Sequence, residues 1–168
     1  MKEDFTIPGL YATDERAIAA VHESGHAVIA SLHGIGVLYL TASAGKPHVA
    51  FMPPTVDALL EEEWFARSRA SLGGPLAEAA FVHGSLSSTS WRYASEADID
   101  IAFSCVDLLH ESDPEGATAE LRRAISETEN LLQREDVWAA VSDLALQLDL
   151  HRTLIDSDVR AVLRGVHL

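Results

Sequence analysis

Five consecutive residues, His22-Glu23-Ser24-Gly25-His26, constrain this chain of 168 residues more than its composition does, because they fall inside a stretch of helical apolar spacing. Thr13 or Asp14 caps its start, Ile18, Val21, Ile29 and Leu32 form a mixed apolar face, and Gly34 and Gly36 end it, so a helix is expected over residues 14–33. A spacing of four puts both imidazoles on one face of that helix, one turn apart. The same three polar side chains interrupt the most apolar helix of the sequence, and no stretch approaches the roughly 20 apolar residues of a membrane span.

Two histidines one turn apart can reach one ion at about 2.0–2.1 Å from each ring nitrogen, and Glu23 then flanks the open coordination position, placed to take a proton from water and pass it to a leaving amine. Imidazole and carboxylate donors with an open position suit zinc. Chance alone yields this five-residue pattern roughly a few hundredths of a time in such a chain. Its place on an apolar-flanked helix argues against accident, since two buried histidines would otherwise each need a separate hydrogen-bond partner. A third ligand is required. His33 lies seven residues beyond His26, about 10 Å along the axis and too far for the same ion. The longer HExxHxxGxxH pattern fails because Ile29 and Leu32 stand at its glycine and third histidine. Glu78 and Asp98 remain, and Asp98 has a competing role in Ser95-x-x-Asp98, which reads as a helix-capping box.

The rest of the chain reads as mainly α, an α+β fold with a small β-hairpin or sheet, in one domain over residues 1–168 with an irregular N-terminal segment at 1–12. VLYLTAS and HVAFMPP, around the turn-like Gly45, Lys46 and Pro47, predict two short strands, and Pro53 and Pro54 stop the second. A helix is expected from near Asp57 through Ala80, broken or kinked at Gly73-Gly74-Pro75. The serine-rich run 84–95 reads as a loop whose Trp91 and Tyr93 are placed to cover a cleft. Further helices are expected over 95–111, 117–134, 136–149 and 156–164, with Asp113, Pro114 and Gly116 as a stop between the first two. No nucleotide loop is present, since Pro47 follows Gly45-Lys46 where Ser or Thr is needed and Leu40 replaces the opening glycine.

Charge narrows the partners. The net charge is −14, with only two lysines and ten arginines, which disfavours nucleic acid and anionic membrane surfaces. Acid is denser in the second half, where residues 85–168 carry −9 against −5 for residues 1–84, and this predicts a modest bias towards basic peptides. A single cysteine, Cys105, makes no internal disulfide and is expected as a small buried residue. With an acidic N-terminus and no basic, apolar leader, the cytoplasm is the expected location. His48, His83, His110, His151 and His167 lack ligand spacing and are expected at the surface or locally bonded.

In order along the chain, AAVHESGHAVIA, LGGPLAEAAFVHG, EADIDIA and the closing ETENLLQREDVWAAVSDLALQLDLHRTLIDSDVRAVL resemble the peptidase domain of the FtsH family, membrane-bound ATP-dependent zinc metalloproteases, over residues 15–164. The resemblance implies a zinc ion held by His22, His26 and Asp98, with Glu23 as the catalytic base and Glu78 beside the site. It also implies that strand 48–52 is an edge strand able to pair with an extended peptide. Ser24, Pro75 and Ala97 depart from the family's usual alanine, arginine and asparagine. With about a dozen residues before the matching region, no ATPase module or membrane anchor is expected here. The function implied is a zinc-dependent endopeptidase acting on accessible peptides or unfolded segments; the family's hexameric rings imply a homo-oligomer, and the missing motor implies short or disordered substrates or a separate partner protein. Pro75 and the missing motor also support an alternative, a catalytically weak zinc-binding module that acts as a binding or regulatory protein. A metal-free helical interaction domain is the third reading.

Overall fold

A computed structural model describes residues 4–43, 46–53, 61–86, 96–110 and 113–166. Six helices and three short strands follow one another as α1 (Glu15–Leu32), β1 (Val37–Thr41), β2 (His48–Phe51), α2 (Glu61–His83), α3 (Glu96–Leu109), α4 (Pro114–Leu132), α5 (Glu135–His151), β3 (Thr153–Ile155) and α6 (Asp156–Val162), with a closing 3-10 turn at Leu163–Gly165. The fold is mainly helical with a small antiparallel sheet, as the sequence predicts.

α1 is the central helix. Asp14 caps it by accepting from the Arg16 amide at 2.9 Å, and Gly34, at φ +78°, turns the chain away after its C-terminus. Residues 23–30 are buried without interruption, because α1 packs against α2, α5 and β1. Where α1 crosses α2 the backbones nearly touch. A Cβ on Gly25 would sit 2.4 Å from the Gly73 carbonyl oxygen, and one on Gly74 would sit 2.3 Å from His26 Nε2. These glycines are required for close approach, and α2 runs through Gly73, Gly74 and Pro75 as one helix. That corrects the expected break. Pro75 removes one donor from the helical ladder, but packing of the buried segment Ala70–Ala77 on α1 outweighs the local penalty. The expected start at Asp57 lies outside the described residues.

Two other boundaries differ. Asp113 and Pro114 start α4 as its cap and first residue, Asp113 accepting from Gly116 N at 3.0 Å, where the sequence reading has a stop and a helix from 117. The sheet has a third strand, β3, in the order β2-β1-β3, with Leu40 opposite both Val49 and Leu154. β3 follows Arg152, whose φ of +69° ends α5 without a glycine, and the Arg152 carbonyl accepts from Ala42 N and from the Thr41 hydroxyl. The N-terminal segment is irregular over residues 4–12 as expected, yet it is part of the core. Phe5 and Ile7 are buried, and Phe5 meets Trp138 of α5 edge to face at 4.8 Å. No described helix is long and apolar enough to cross a membrane.

Candidate metal centre

α1 presents His22, Glu23 and His26 to a cavity of about 870 Å3 whose other walls are α2, α3 and β2. The two imidazoles stand edge to face with their Nε2 atoms 3.0 Å apart. Asp98, in the first turn of α3, completes the triangle, with Oδ2 3.2 Å from His22 Nε2 and Oδ1 3.5 Å from His26 Nε2. The fold therefore brings together the three residues that the sequence proposes as ligands, and this group could hold a metal ion.

Donor chemistry supports a cation at this point. His26 Nδ1–H donates to the Ala70 carbonyl at 2.8 Å, a shorter contact than the approach of Gly74 N–H to the same nitrogen at 3.2 Å, so the ring's hydrogen is assigned to Nδ1. His22 Nδ1–H donates to Glu78 Oε2 at 2.8 Å. With both rings neutral, both Nε2 atoms then carry lone pairs that face each other and the Asp98 carboxylate. Only a proton or a metal cation relieves that arrangement. A tetrahedral ion with bonds of about 2.0–2.1 Å has edges of about 3.3 Å between its ligands. The Nε2–Nε2 separation of 3.0 Å is near that value, and the carboxylate turns one oxygen to each imidazole, at 3.2 and 3.5 Å.

Glu78, the other candidate for third ligand, sits on the far side of the His22 ring. Its contact fixes the tautomer and direction of that imidazole, as carboxylates behind metal-binding histidines do. Glu23 is 5% exposed and lines the cavity beside the ligand group. Burial raises its carboxyl pKa to about 7, with Asp98 and Glu78 adding to the rise and His22 and His48 opposing it. Burial also works against charge on His22, but its hydrogen bonds to Asp98 and Glu78 prevail and lift it to about 9. His26 goes the other way, down to about 4, through burial and the neighbouring His22 charge. Without metal, one proton thus occupies the ligand triangle on His22 and a second is refused by His26.

A metal ion must displace that proton. Because His22 stays charged up to about pH 9, metal uptake at pH 8 should release about one proton, and metal affinity should rise with pH until pH 9. Calorimetric titration in buffers of different ionisation enthalpy measures the number released, and a value of zero would contradict the assigned protonation.

The other predicted positions fall as follows. His33 lines a separate depression with Arg69 and Glu120, in agreement with its distance along the helix. His48 is locally bonded, its ring contacting the Tyr39 hydroxyl and the Lys46 carbonyl, each at 3.0 Å. Cys105 is buried at the cavity wall, and burial raises its thiol pKa. Ser95, Trp91, Tyr93 and His167 lie outside the described residues, so the capping box and the covering loop do too. Sequence reasoning missed Trp64, Arg67 and Ser71, which share the cavity face of α2 with Glu78. Their spacing of three, four and seven residues is a single helical stripe, the signal that points to them once Glu78 is placed at the site. No protein-family model matches the chain, and no match was found among curated proteins.

Proposed function

We propose that this chain is an FtsH-like, zinc-dependent endopeptidase that hydrolyses accessible peptides or unfolded segments. One observation carries the reading: ligand atoms of His22, His26 and Asp98 converge within 4.8 Å of one another, beside the buried Glu23 carboxylate, in a cavity of about 870 Å3. His22, His26 and Asp98 would hold the ion, and the chemistry of their donor set fits zinc. Zinc bound there would supply a Lewis acid that polarises a peptide carbonyl and acidifies water.

The chain's own residues account for the remaining roles. Glu23 is the general base, with a pKa raised from the ordinary carboxylate range towards neutral, where a group both accepts and returns a proton efficiently. It takes a proton from the attacking water and delivers it to the departing amine nitrogen. Glu78 and the Ala70 carbonyl hold the imidazoles in register, so no reorientation is needed as the substrate arrives. β2 pairs only with β1 among the described residues, and Val49 and Phe51 of β2 line the cavity. Its outer edge offers backbone groups to an extended peptide, which supports binding by strand addition.

Incubation of the zinc-loaded protein with an unstructured protein substrate tests this function. Fragments should appear at least about tenfold faster than after chelation, and added zinc should restore the rate. An intact substrate in the presence of fully loaded protein would overturn the proposal.

A further inference from the structure

Resting on the peptidase reading, we infer that Arg67 forms a subsite for a substrate carboxylate in the cavity beside the metal centre. α2 and α3 lie side by side along the cavity, contributing Trp64, Arg67 and Glu78 from one helix and Asp98, Ile101 and Cys105 from the other. Glu78 and Asp98 meet at His22, at one end of this wall. Arg67 lines the same cavity one helical turn before Ala70, whose carbonyl accepts from His26.

The state of the guanidinium points to an unfilled acceptor position. Arg67 Nε and Nη2 both donate to one oxygen of Glu63, at 3.1 and 2.8 Å, and Nη1 has no acceptor among the described residues. Arg69, two residues on, shows a filled arginine in the same helix: its nitrogens reach Glu127, Glu120 and the Phe65 carbonyl. Arg67 is bound on one side only and lines the cavity with the apolar Trp64 and Ile101 beside it. All the other Asp, Glu, Lys and Arg residues in the described lining, Glu15, Glu23, Glu78 and Asp98, are acidic. Away from the metal centre, a carboxylate on the peptide is therefore repelled by the acidic lining and accepted at Arg67, where a charge-assisted, two-pronged contact is available. The subsite sets a positional preference within the overall bias towards basic peptides.

Binding of fluorescent peptides to zinc-loaded Glu23→Gln protein reads this preference without requiring turnover. One series of C-terminally amidated peptides carries Glu or Gln at successive positions, and a second carries a free C-terminal carboxylate at successive lengths. One position should favour Glu over Gln by about tenfold. The added Arg67→Gln change should reduce that ratio below about twofold, Arg67→Lys should retain part of it, and Glu63→Gln, which frees the guanidinium, should increase it. The free-acid series tells whether a terminal carboxylate fills the same place. Equal binding of Glu and Gln at every position, no measurable binding, or an unchanged preference after Arg67→Gln would overturn the inference. Failure of the parent protein to cleave while the preference persists would remove the peptidase reading and leave the carboxylate subsite standing.

Discussion

Glu23→Gln should lower the turnover of zinc-loaded protein by about a thousandfold while leaving zinc content at one ion per chain, within the range expected when a positioned acid–base group is lost. The amide keeps the shape of the carboxylate but accepts no proton. The same change should make the metal-free protein more stable at pH 8. Glu23 has a pKa of about 7 in the fold against 4.5 as its ordinary value, so the folded state holds the proton more tightly than the unfolded chain. That contribution to stability is complete below about pH 4.5 and is lost as pH rises through 7. At pH 8 the buried carboxylate costs about 3 kcal/mol, and replacing it should raise the melting temperature by about 5–10 °C. Opposite signs for activity and stability distinguish a base held at the expense of stability from a residue whose loss merely disturbs the fold. Kinetics on an unstructured substrate, with thermal melts in chelator, measure both. Equal turnover by parent and variant would remove Glu23 from the mechanism.

Asp98→Ala should weaken zinc binding by about a thousandfold, whereas Glu78→Gln should weaken it by only 10- to 100-fold. Asp98 faces both Nε2 atoms, and its removal takes away a ligand and the negative charge that offsets the ion. Glu78 touches only the Nδ1 side of His22, so its loss loosens one ring and leaves three ligands in place. Competition with a chromogenic chelator gives both constants. The reverse order would make Glu78 the ligand and Asp98 the supporting residue.

The helical frame and the ligand pair were legible because they rest on local rules. Helix spacing alone places His22 and His26 on one face, and the Asp14 cap and Gly34 mark the ends of α1. The third member of the cluster was not legible from spacing, since Asp98 joins the site only through packing of α3 on α2, and both Asp98 and Glu78 suit a metal chemically. The fold sets the Asp98 carboxylate 3.2 and 3.5 Å from the two Nε2 atoms, whereas Glu78 contacts the Nδ1 side of His22. Gly73-Gly74-Pro75 misled for an identifiable reason: glycine reads as a breaker locally, whereas here it admits the α1 backbone and the His26 ring. β3 was missed because three residues give little alternation and α5 ends on a left-handed arginine instead of a glycine. Burial of Phe5 likewise depends on a distant partner, Trp138, that no local pattern names.

A crystal structure of the protein grown with zinc tests the central claim most directly. The account predicts one ion bonded to His22 Nε2, His26 Nε2 and an Asp98 oxygen at about 2.0–2.2 Å, with Glu78 still on His22 Nδ1 and an open position facing the cavity beside Glu23. An ion bonded to Glu78 in place of Asp98, or a ligand triangle with no zinc in it, would contradict it.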